Sequence, residues 1–318
     1  MRLRHADADH LFQAARAGDR AALARLLSLI ERGGEGARAV GRLAYPLGGH
    51  SYTVGMTGAP GAGKSTLTSA VIAHLRAQGE EVAVLAIDPS SPFTGGAILG
   101  DRVRMQDHAT DPGVFIRSMA TRGHLGGLAL AAPEAIRLLD AVGREWIIVE
   151  TVGVGQVEVE VAGKADTTIV VVNPGWGDAV QANKAGLMEV ADVFAINKAD
   201  RKGLDETRRD LELMLDLSNL GDWRPPIVPT VANRAEGVEA LWQAVLDHRA
   251  YAEKSGVLEQ RRERRLREEL RSIVVSRLDA RARELSGGAG YDALEADVLC
   301  RRLDPWSAAD ELLRGIGA

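Results

Sequence analysis

Cysteine, aromatic side chains and excess positive charge are all scarce in this sequence of 318 residues. The single cysteine, Cys300, excludes both an intramolecular disulfide and a CxxC metal site. The formal net charge is −5 at pH 7, whereas nucleic-acid-binding proteins usually present a basic surface. No apolar run reaches the roughly 18 residues that a membrane-spanning helix needs, and the opening stretch MRLRHADADHLFQAARAGD is too rich in acids for a secretory signal. We therefore expect a soluble cytoplasmic protein that binds neither nucleic acid nor membranes.

Hydrophobic residues nevertheless make up 46% of the chain, and only 4% of the residues are aromatic. A core of Val, Ile, Leu and Ala is typical of a parallel sheet covered by helices. From Ser51 onward, short apolar segments alternate with helical patterns, which predicts an α/β fold with a mainly parallel sheet and ligands at the carboxyl ends of its strands. The predicted strands are Tyr52–Thr57, Val82–Ile87, Val114–Ser118, Trp146–Glu150, Thr167–Asn173, Val193–Asn197 and Ile227–Val231.

Helical patterns precede and follow this alternation. Residues 1–49 predict two helices separated by Gly18, the second capped by Asp19 and ended by the glycines between Gly33 and Gly36. After about Tyr251 the stretch EKSGVLEQRRERRLREELRSIVVSRLDARARELSG predicts one long helix, and two short helices follow it, the last starting at Asp304–Pro305. We accordingly divide the chain into a helical extension (1–49), a nucleotide-binding domain (50–250) and a helical arm (251–318).

The long C-terminal helix carries a narrow apolar stripe among many Arg and Glu residues. The stripe suits packing against a partner rather than a core, and the arginines fit a solvated face better than a nucleic-acid arm. The residues of the stripe are Leu258, Leu266, Leu270, Ile273, Val274 and Leu278.

The motif GAPGAGKS, between a predicted strand and a predicted helix, fits the phosphate-binding P-loop GxxxxGK[ST]. Backbone N–H groups of such a loop surround a phosphate at the positive end of the helix. We expect Lys64 to reach the β- and γ-phosphates and Ser65 to bind Mg²⁺. The predicted phosphate-binding residues are Gly58, Ala59, Pro60, Gly61, Ala62, Gly63, Lys64, Ser65 and Thr66.

A second motif, NKAD at the end of a predicted strand, indicates which nucleotide binds. The carboxylate of Asp200 can accept hydrogen bonds from N1–H and the 2-amino group of guanine, whereas adenine would leave this carboxylate unpaired at a cost of about 1–3 kcal/mol. Asn197 would tie this loop to the P-loop, and the stem of Lys198 would cover the base. The end of the next strand supplies three further base-binding residues, Val231, Ala232 and Asn233, with the Ala232 N–H as a donor to guanine O6.

Magnesium requires hard oxygen ligands beside Ser65. Asp88 and Glu150 end predicted strands, and Asp101 follows a glycine-rich loop, so these three acids are the predicted ligands. Glu150 follows four apolar residues and needs a charged partner, which a magnesium ion or its bound water would supply. Gly153, three residues later, could donate its N–H to the γ-phosphate, so that the order of this loop would depend on the nucleotide.

The segments IDPSSPFTGGAILGDRVRM, ETVGVGQVEVEV, NPGWGDAVQANKAGLMEVAD and NKAD together resemble the MeaB family of P-loop GTPases. The resemblance covers nearly the whole chain. It implies a homodimer formed through the C-terminal arm, and a chaperone of adenosylcobalamin-dependent methylmalonyl-CoA mutase that gates cofactor loading and release and protects the mutase from inactivation. It also places Asp88, Asp101 and Glu150 at metal and switch positions. The loop from Gly175 to Lys184 falls on a switch that senses the mutase.

The residue after the predicted switch glycine is Val154 rather than the glutamine that positions water in Ras-like GTPases. Gln156 follows two positions later. We therefore expect slow intrinsic GTP hydrolysis that a partner accelerates, with Lys184 or Asp178 drawn toward the nucleotide as the loops become ordered.

Three other functions remain open from the residues. A GTPase that inserts a metal into another enzyme usually has Cys or His clusters, and His108 and His124 lack metal-site spacing. A signal-recognition GTPase would need a Met-rich segment, and the chain contains six Met. NKAD argues against an ATP-dependent kinase or transport subunit. Trp176, in a glycine-rich loop, either contacts a partner or packs inward.

Overall fold

The apolar segments predicted as strands form one sheet in the computed structural model. The structure describes residues 5–58, 60–88, 108, 110–120, 125–151, 165–175, 189–218, 221–285 and 289–314. Within these residues the sheet has seven strands in the order β3-β2-β4-β1-β5-β6-β7, and every pairing is parallel. The strands are β1 Tyr52–Gly58, β2 Val82–Asp88, β3 Val114–Ala120, β4 Trp146–Thr151, β5 Thr167–Val172, β6 Val193–Asn197 and β7 Ile227–Thr230. The predicted α/β class and the parallel sheet are confirmed.

Ten α-helices of the described chain surround or follow this sheet. None of them combines the length and hydropathy needed to cross a bilayer within the described residues. The helices are α1 His5–Arg16, α2 Arg20–Arg32, α3 Gly34–Ala44, α4 Lys64–Ala77, α5 Leu125–Ala141, α6 Leu204–Leu217, α7 Val238–Lys254, α8 Val257–Leu285, α9 Ala289–Leu299 and α10 Pro305–Arg314.

The order of the strands places the end of β1 at a topological switch point. The chain moves outward from β1 to β2 and β3, returns through β4 beside β1, and then continues through β5 on the other side. Consecutive connections therefore diverge at the carboxyl end of β1, which opens a crevice there. The P-loop follows β1 directly, so the topology places this loop in the crevice.

The N-terminal helices are part of the core that covers one face of the sheet. Alternate residues of β2 face opposite sides, with Val82 and Val84 in one hydrophobic cluster and Leu85 and Ile87 in the other. Helices α1, α2, α3 and α5 share the second cluster with β2, β3 and β4, whereas α4, α6 and α7 cover the other face. Residues 5–44 therefore complete the helical layer of the sheet rather than standing apart from it.

The predicted helix boundaries in this region are partly correct. Asp19 caps α2, because its side chain accepts hydrogen bonds from the N–H groups of Ala21 and Ala22. The glycines after Arg32 end α2 but do not end helical structure, since α3 begins at Gly34. Burial of Val40 and its neighbours on α3 outweighs the low helix propensity of glycine.

The predicted long C-terminal helix is interrupted near its start. Helix α7 ends at Lys254 and α8 begins at Val257, with Gly256 at φ +74° between them. Because this left-handed conformation favours glycine, the break falls at Gly256 rather than at a neighbouring residue. Residues 1–265 and 266–318 form two compact units. In the second unit, Asp304 caps α10 through the N–H groups of Trp306 and Ser307.

Two buried aspartates at the amino ends of the strands hold the start of α8. Asp166 precedes β5 and pairs with Arg262 at 2.7 Å and with Arg265. Asp192 precedes β6 and makes two hydrogen bonds with Arg261, at 2.9 and 3.0 Å. These three arginines were predicted to lie on a solvated face, but their side chains are only 22–31% exposed. The first turns of α8 are therefore attached to the sheet.

The arginines, together with His248 at Asp192, lower the pKa of both carboxyl groups. Burial alone would raise the pKa of Asp166, but Arg265, Arg262 and the N–H of Thr53 outweigh it and hold this pKa below its usual value. Burial would likewise raise the pKa of Asp192, but His248 and Arg261 outweigh it, so this pKa is also lowered. Both aspartates are therefore charged at neutral pH and stabilise the folded chain in that form.

Acid should weaken this cluster in a defined pH window. Because both pKa values are lower in the folded chain than in the unfolded chain, the stabilisation is present above the unfolded pKa and is lost as pH falls through the folded pKa, starting below about pH 5. We expect Asp192→Asn to lower the free energy of unfolding at pH 7 by about 3 kcal/mol. Between about pH 5 and pH 3 the free energy of unfolding of this variant should decrease less than that of the wild type. Urea unfolding followed by circular dichroism measures both effects.

The exposed Asp222 provides the matched control. Asp222→Asn should keep the wild-type pH dependence of unfolding. An Asp192→Asn variant with the same decline as the wild type would contradict the assignment.

Candidate functional site

Two glycines of the P-loop allow close approaches that a larger residue would prevent. Gly58 ends β1 at φ +136°, and a Cβ there would lie 2.0 Å from the carbonyl oxygen of Val171 on β5. Gly63 has φ +91°, and a Cβ there would lie 2.5 Å from the side-chain nitrogen of Asn197. The glycines therefore set the spacing between this loop and the adjacent strands.

Lys64 is the first residue of α4, and its side chain lies back across the loop. The residue is 8% exposed, and its Nζ donates to the carbonyl oxygen of Gly58 at 2.9 Å. Pro60 and Gly61 are exposed, Ala62 is buried and Thr66 is partly exposed in the first turn of α4. A buried ammonium group beside the N-terminus of a helix attracts an anion such as a phosphate.

The structure brings together two of the four predicted metal ligands. The hydroxyl of Ser65 donates to Glu150 Oε1 at 2.6 Å, and both residues are buried. Glu150 lies opposite Met56 in the register of β4 and β1, which places it beside the P-loop. Both donors are hard oxygens, the type that Mg²⁺ prefers, so these side chains fit that ion.

The other two predicted ligands are described less fully. Asp88 is the last residue of β2, and its neighbour Ile87 pairs with Thr151 of β4, so its backbone lies at the same edge of the sheet. Its side chain and all of Asp101 lie outside the described residues. Among the side chains that are described, no group of three His, Cys, Asp or Glu could hold a metal ion.

Asn197, at the end of β6, joins three segments of the site. Its Nδ2 donates to the carbonyl oxygen of Ala62 at 2.8 Å, and its Oδ1 accepts from the N–H of Ala232 at 3.1 Å and from Thr230 Oγ1 at 3.3 Å. The side chain is almost fully buried. The predicted link between this loop and the P-loop is thus present, and the turn after β7 is attached through the same amide.

The rest of the NKAD loop is more exposed. Lys198 has φ +60°, and its Nζ donates to the carbonyl oxygen of Gly61 at 2.5 Å, so its stem lies along the P-loop. The carboxylate of Asp200 is 43% exposed and lies 3.3 Å from the guanidinium of Arg234. Sequence reasoning did not identify Arg234. Arg234 lies two residues after Ala232, in a turn predicted to contact the base, and this position could have indicated that it belongs to the site.

The predicted base-binding residues after β7 form a tight turn. Residues Ala232–Arg234 make one 3-10 turn, in which Ala232 is buried and Asn233 is exposed. The N–H of Val231 donates to the carbonyl oxygen of Glu236 at 3.0 Å. Because the N–H of Ala232 donates to Asn197, a bond to guanine O6 would have to share this hydrogen in a three-centre arrangement.

Eight further residues named in the sequence analysis lie outside the described part of the chain. They are Ala59, His124, Gly153, Val154, Gln156, Trp176, Asp178 and Lys184. His108 is described, and its Nε2 lies 3.0 Å from the hydroxyl of Ser69 on α4. This contact joins His108 to helix α4.

Comparison with known proteins places this geometry in a family. The model of the family described as methylmalonyl Co-A mutase-associated GTPase MeaB matches residues 23–286. A protein of Pyrococcus abyssi named as a candidate GTPase is 51% identical over 97% of this chain and 96% of its own. The mouse protein named methylmalonic aciduria type A homolog, mitochondrial, is 34% identical over 83% of this chain and 65% of its own. A crystal structure named LAO/AO transport system kinase is similar over the full length of both chains, with 29% identity and a TM-score of 0.73.

The contact between Gly63 and Asn197 can be tested by substitution. Gly63→Ala should weaken GDP binding by about tenfold or more, because its Cβ would collide with the amide of Asn197 and its φ would be strained. Gly61→Ala shares a left-handed φ of +70° but meets nothing within 4 Å, so it controls for strain alone. Titration with a fluorescent GDP analogue measures both affinities. Equal losses in the two variants would contradict the role of the Asn197 contact.

Proposed function

Because this chain belongs to the MeaB family of GTPases, we propose that it is a GTP-dependent chaperone of an adenosylcobalamin-dependent mutase. The chain binds guanine nucleotides and hydrolyses GTP, as its family does. The client mutase would be methylmalonyl-CoA mutase. Depending on its bound nucleotide, the GTPase would gate the loading and release of the cofactor and protect the mutase from inactivation. The observation that carries it is the match of a mutase-associated GTPase family over residues 23–286.

The nucleotide would lie along the crevice between the P-loop and the NKAD loop. In this arrangement Lys64 and the backbone of residues 58–66 hold the phosphates, and Asp200 accepts the two donors of the guanine edge. Lys198 and the turn Val231–Asn233 flank the base. The bonds from Asn197 to the P-loop and to Ala232 support this proposal, because they fix the phosphate and base sites relative to each other.

Magnesium would be held by Ser65 and Glu150, with Asp88 and Asp101 completing the set. The close contact between the first two side chains supports this assignment. Bound there, the ion would neutralise charge on the phosphates. The contribution of the protein is to keep a hydroxyl and a carboxylate adjacent and shielded from water.

Hydrolysis is proposed to be slow without the client and faster with it. Val154 stands where Ras-like enzymes have a water-positioning glutamine. Gly153 would contact the γ-phosphate, and Asp178 or Lys184, in the loop that begins at Gly175, would complete the site when the mutase binds. Such an arrangement couples the rate of hydrolysis to the presence of the partner.

We further propose that the chain consists of a helical extension (1–49), a GTPase domain (50–250) and a helical arm (251–318). Two copies of the chain would form a homodimer through this arm. In the single chain, four apolar residues of the α8 stripe are 44–64% exposed, which supports burial against a second copy. They are Leu266, Leu270, Val274 and Leu278. Leu258 does not belong to this surface, because it packs against the core of the first unit.

The proposal is tested with the adenosylcobalamin-dependent mutase of the same organism. Immobilised protein should retain the mutase to an extent that differs between GDP and a non-hydrolysable GTP analogue, because the switch loops respond to the γ-phosphate. Single-turnover GTP hydrolysis should accelerate at least about tenfold when the mutase is added. Lys64→Ala, which removes the phosphate-binding cation, should abolish the nucleotide dependence of retention.

Absence of retention in every nucleotide state, with an unchanged hydrolysis rate, would overturn the mutase assignment. The GTPase activity would then serve another client.

A further inference from the structure

The guanidinium of Arg234 contacts the carboxylate proposed to recognise guanine. Its Nη2 lies 3.3 Å from Asp200 Oδ2, and its Nε lies 3.3 Å from Glu236 Oε1. The arginine therefore bridges two acids, one in the NKAD loop and one at the end of the turn after β7. Both side chains of the Arg234–Asp200 pair are about half exposed, so a nucleotide base can reach Asp200.

The backbone that carries Arg234 is closely fixed. Its N–H donates to the carbonyl oxygen of Val231 at 2.9 Å, and Val231 and Glu236 exchange two backbone hydrogen bonds of 3.0 and 3.3 Å. Gly237 closes the turn against β7, since a Cβ there would lie 2.2 Å from the carbonyl oxygen of Pro229. Through Ala232 and Asn197 the turn is also attached to the loop that carries Asp200. Arg234 thus extends from a rigid support.

We propose that Arg234 is a positioning residue for base recognition, which holds the carboxylate of Asp200 in the orientation that accepts both donors of the guanine edge. The proposal rests on the proposed role of Asp200 as the guanine-reading residue. A carboxylate has about four acceptor sites, so the ion pair with Arg234 leaves enough of them for the two donors of guanine. An aspartate held by a charged neighbour also loses less rotational freedom when the base binds.

The role of Arg234 predicts a change in base discrimination rather than a general loss of binding. Inosine diphosphate lacks the 2-amino group of GDP, so the ratio of the two affinities reports how well Asp200 accepts the second donor. In Arg234→Ala this ratio should fall about three- to fivefold, the range expected for loss of an exposed ion pair that also orients its partner. Arg234→Lys, which keeps the charge, should restore part of the ratio.

Salt provides an independent readout, because a half-exposed ion pair is screened. In the wild type the GDP-to-IDP ratio should decrease between 0.05 and about 1 M NaCl, whereas in Arg234→Ala it should not change with salt. Arg201→Ala removes an exposed arginine next to Asp200 in the chain and should leave the ratio at the wild-type value. Thermal unfolding of each variant shows that the fold is intact.

The results separate this inference from the proposed function. Asp200→Asn should shift preference from GDP toward xanthosine diphosphate, because an amide donates where the carboxylate accepts. If that shift is absent, the guanine-reading role of Asp200 fails, and the inference fails with it. If the shift occurs but Arg234→Ala keeps the wild-type ratio, the inference alone is wrong. Tighter GDP binding by Arg234→Ala would also overturn it, because Arg234 would then compete with the base.

Discussion

The amide of Asn197 is the interaction on which the geometry of the site depends. One buried side chain bonds the carbonyl oxygen of Ala62 in the P-loop, the N–H of Ala232 and the hydroxyl of Thr230. The absence of a side chain at Gly63 leaves space for this amide, so the position of Asn197 depends on glycine at residue 63. Segments far apart in the chain are thereby held at fixed distances, and a nucleotide bound as proposed would be recognised at its phosphates and at its base simultaneously.

The carboxyl and amino ends of the parallel strands carry different kinds of polar groups. At the carboxyl edge, strand ends carry Glu150 and Asn197 next to glycine-rich backbone, an arrangement suited to an anionic nucleotide and a cation. At the amino edge, Asp166 and Asp192 are buried and neutralised by arginines from the first turns of α8. The second arrangement resembles a structural clamp, in which the pairing offsets the cost of burying charge. It attaches the first turns of α8 to the parallel sheet.

Much of this architecture was predictable because it depends on local patterns. Apolar runs predicted all seven strands, and the glycine pattern GAPGAGKS located the loop between β1 and α4. Longer-range pairing was not predictable. Nothing in RRERRLREEL distinguishes the arginines that reach Asp166 and Asp192 from the more exposed ones. The position of Arg234 in the turn after β7 indicated a contact with the base, but not the pairing with Asp200. Helix α3 was missed because tertiary burial overrode the propensity of its glycines, whereas the break at Gly256 was missed although a local signal was present.

The central claim, that Asn197 assembles the nucleotide site, is tested most directly by the affinity of Asn197→Ala for GDP. Removing this amide leaves several buried groups without their partners, each costing about 1–3 kcal/mol, and separates the base loop from the P-loop. Asn173→Ala, directly after β5, is the control, because the amide of Asn173 donates only to the carbonyl oxygen of the adjacent Pro174 among the described contacts. We predict that Asn197→Ala loses about a hundredfold or more in GDP affinity while retaining its circular dichroism spectrum. An affinity equal to that of Asn173→Ala would contradict the account.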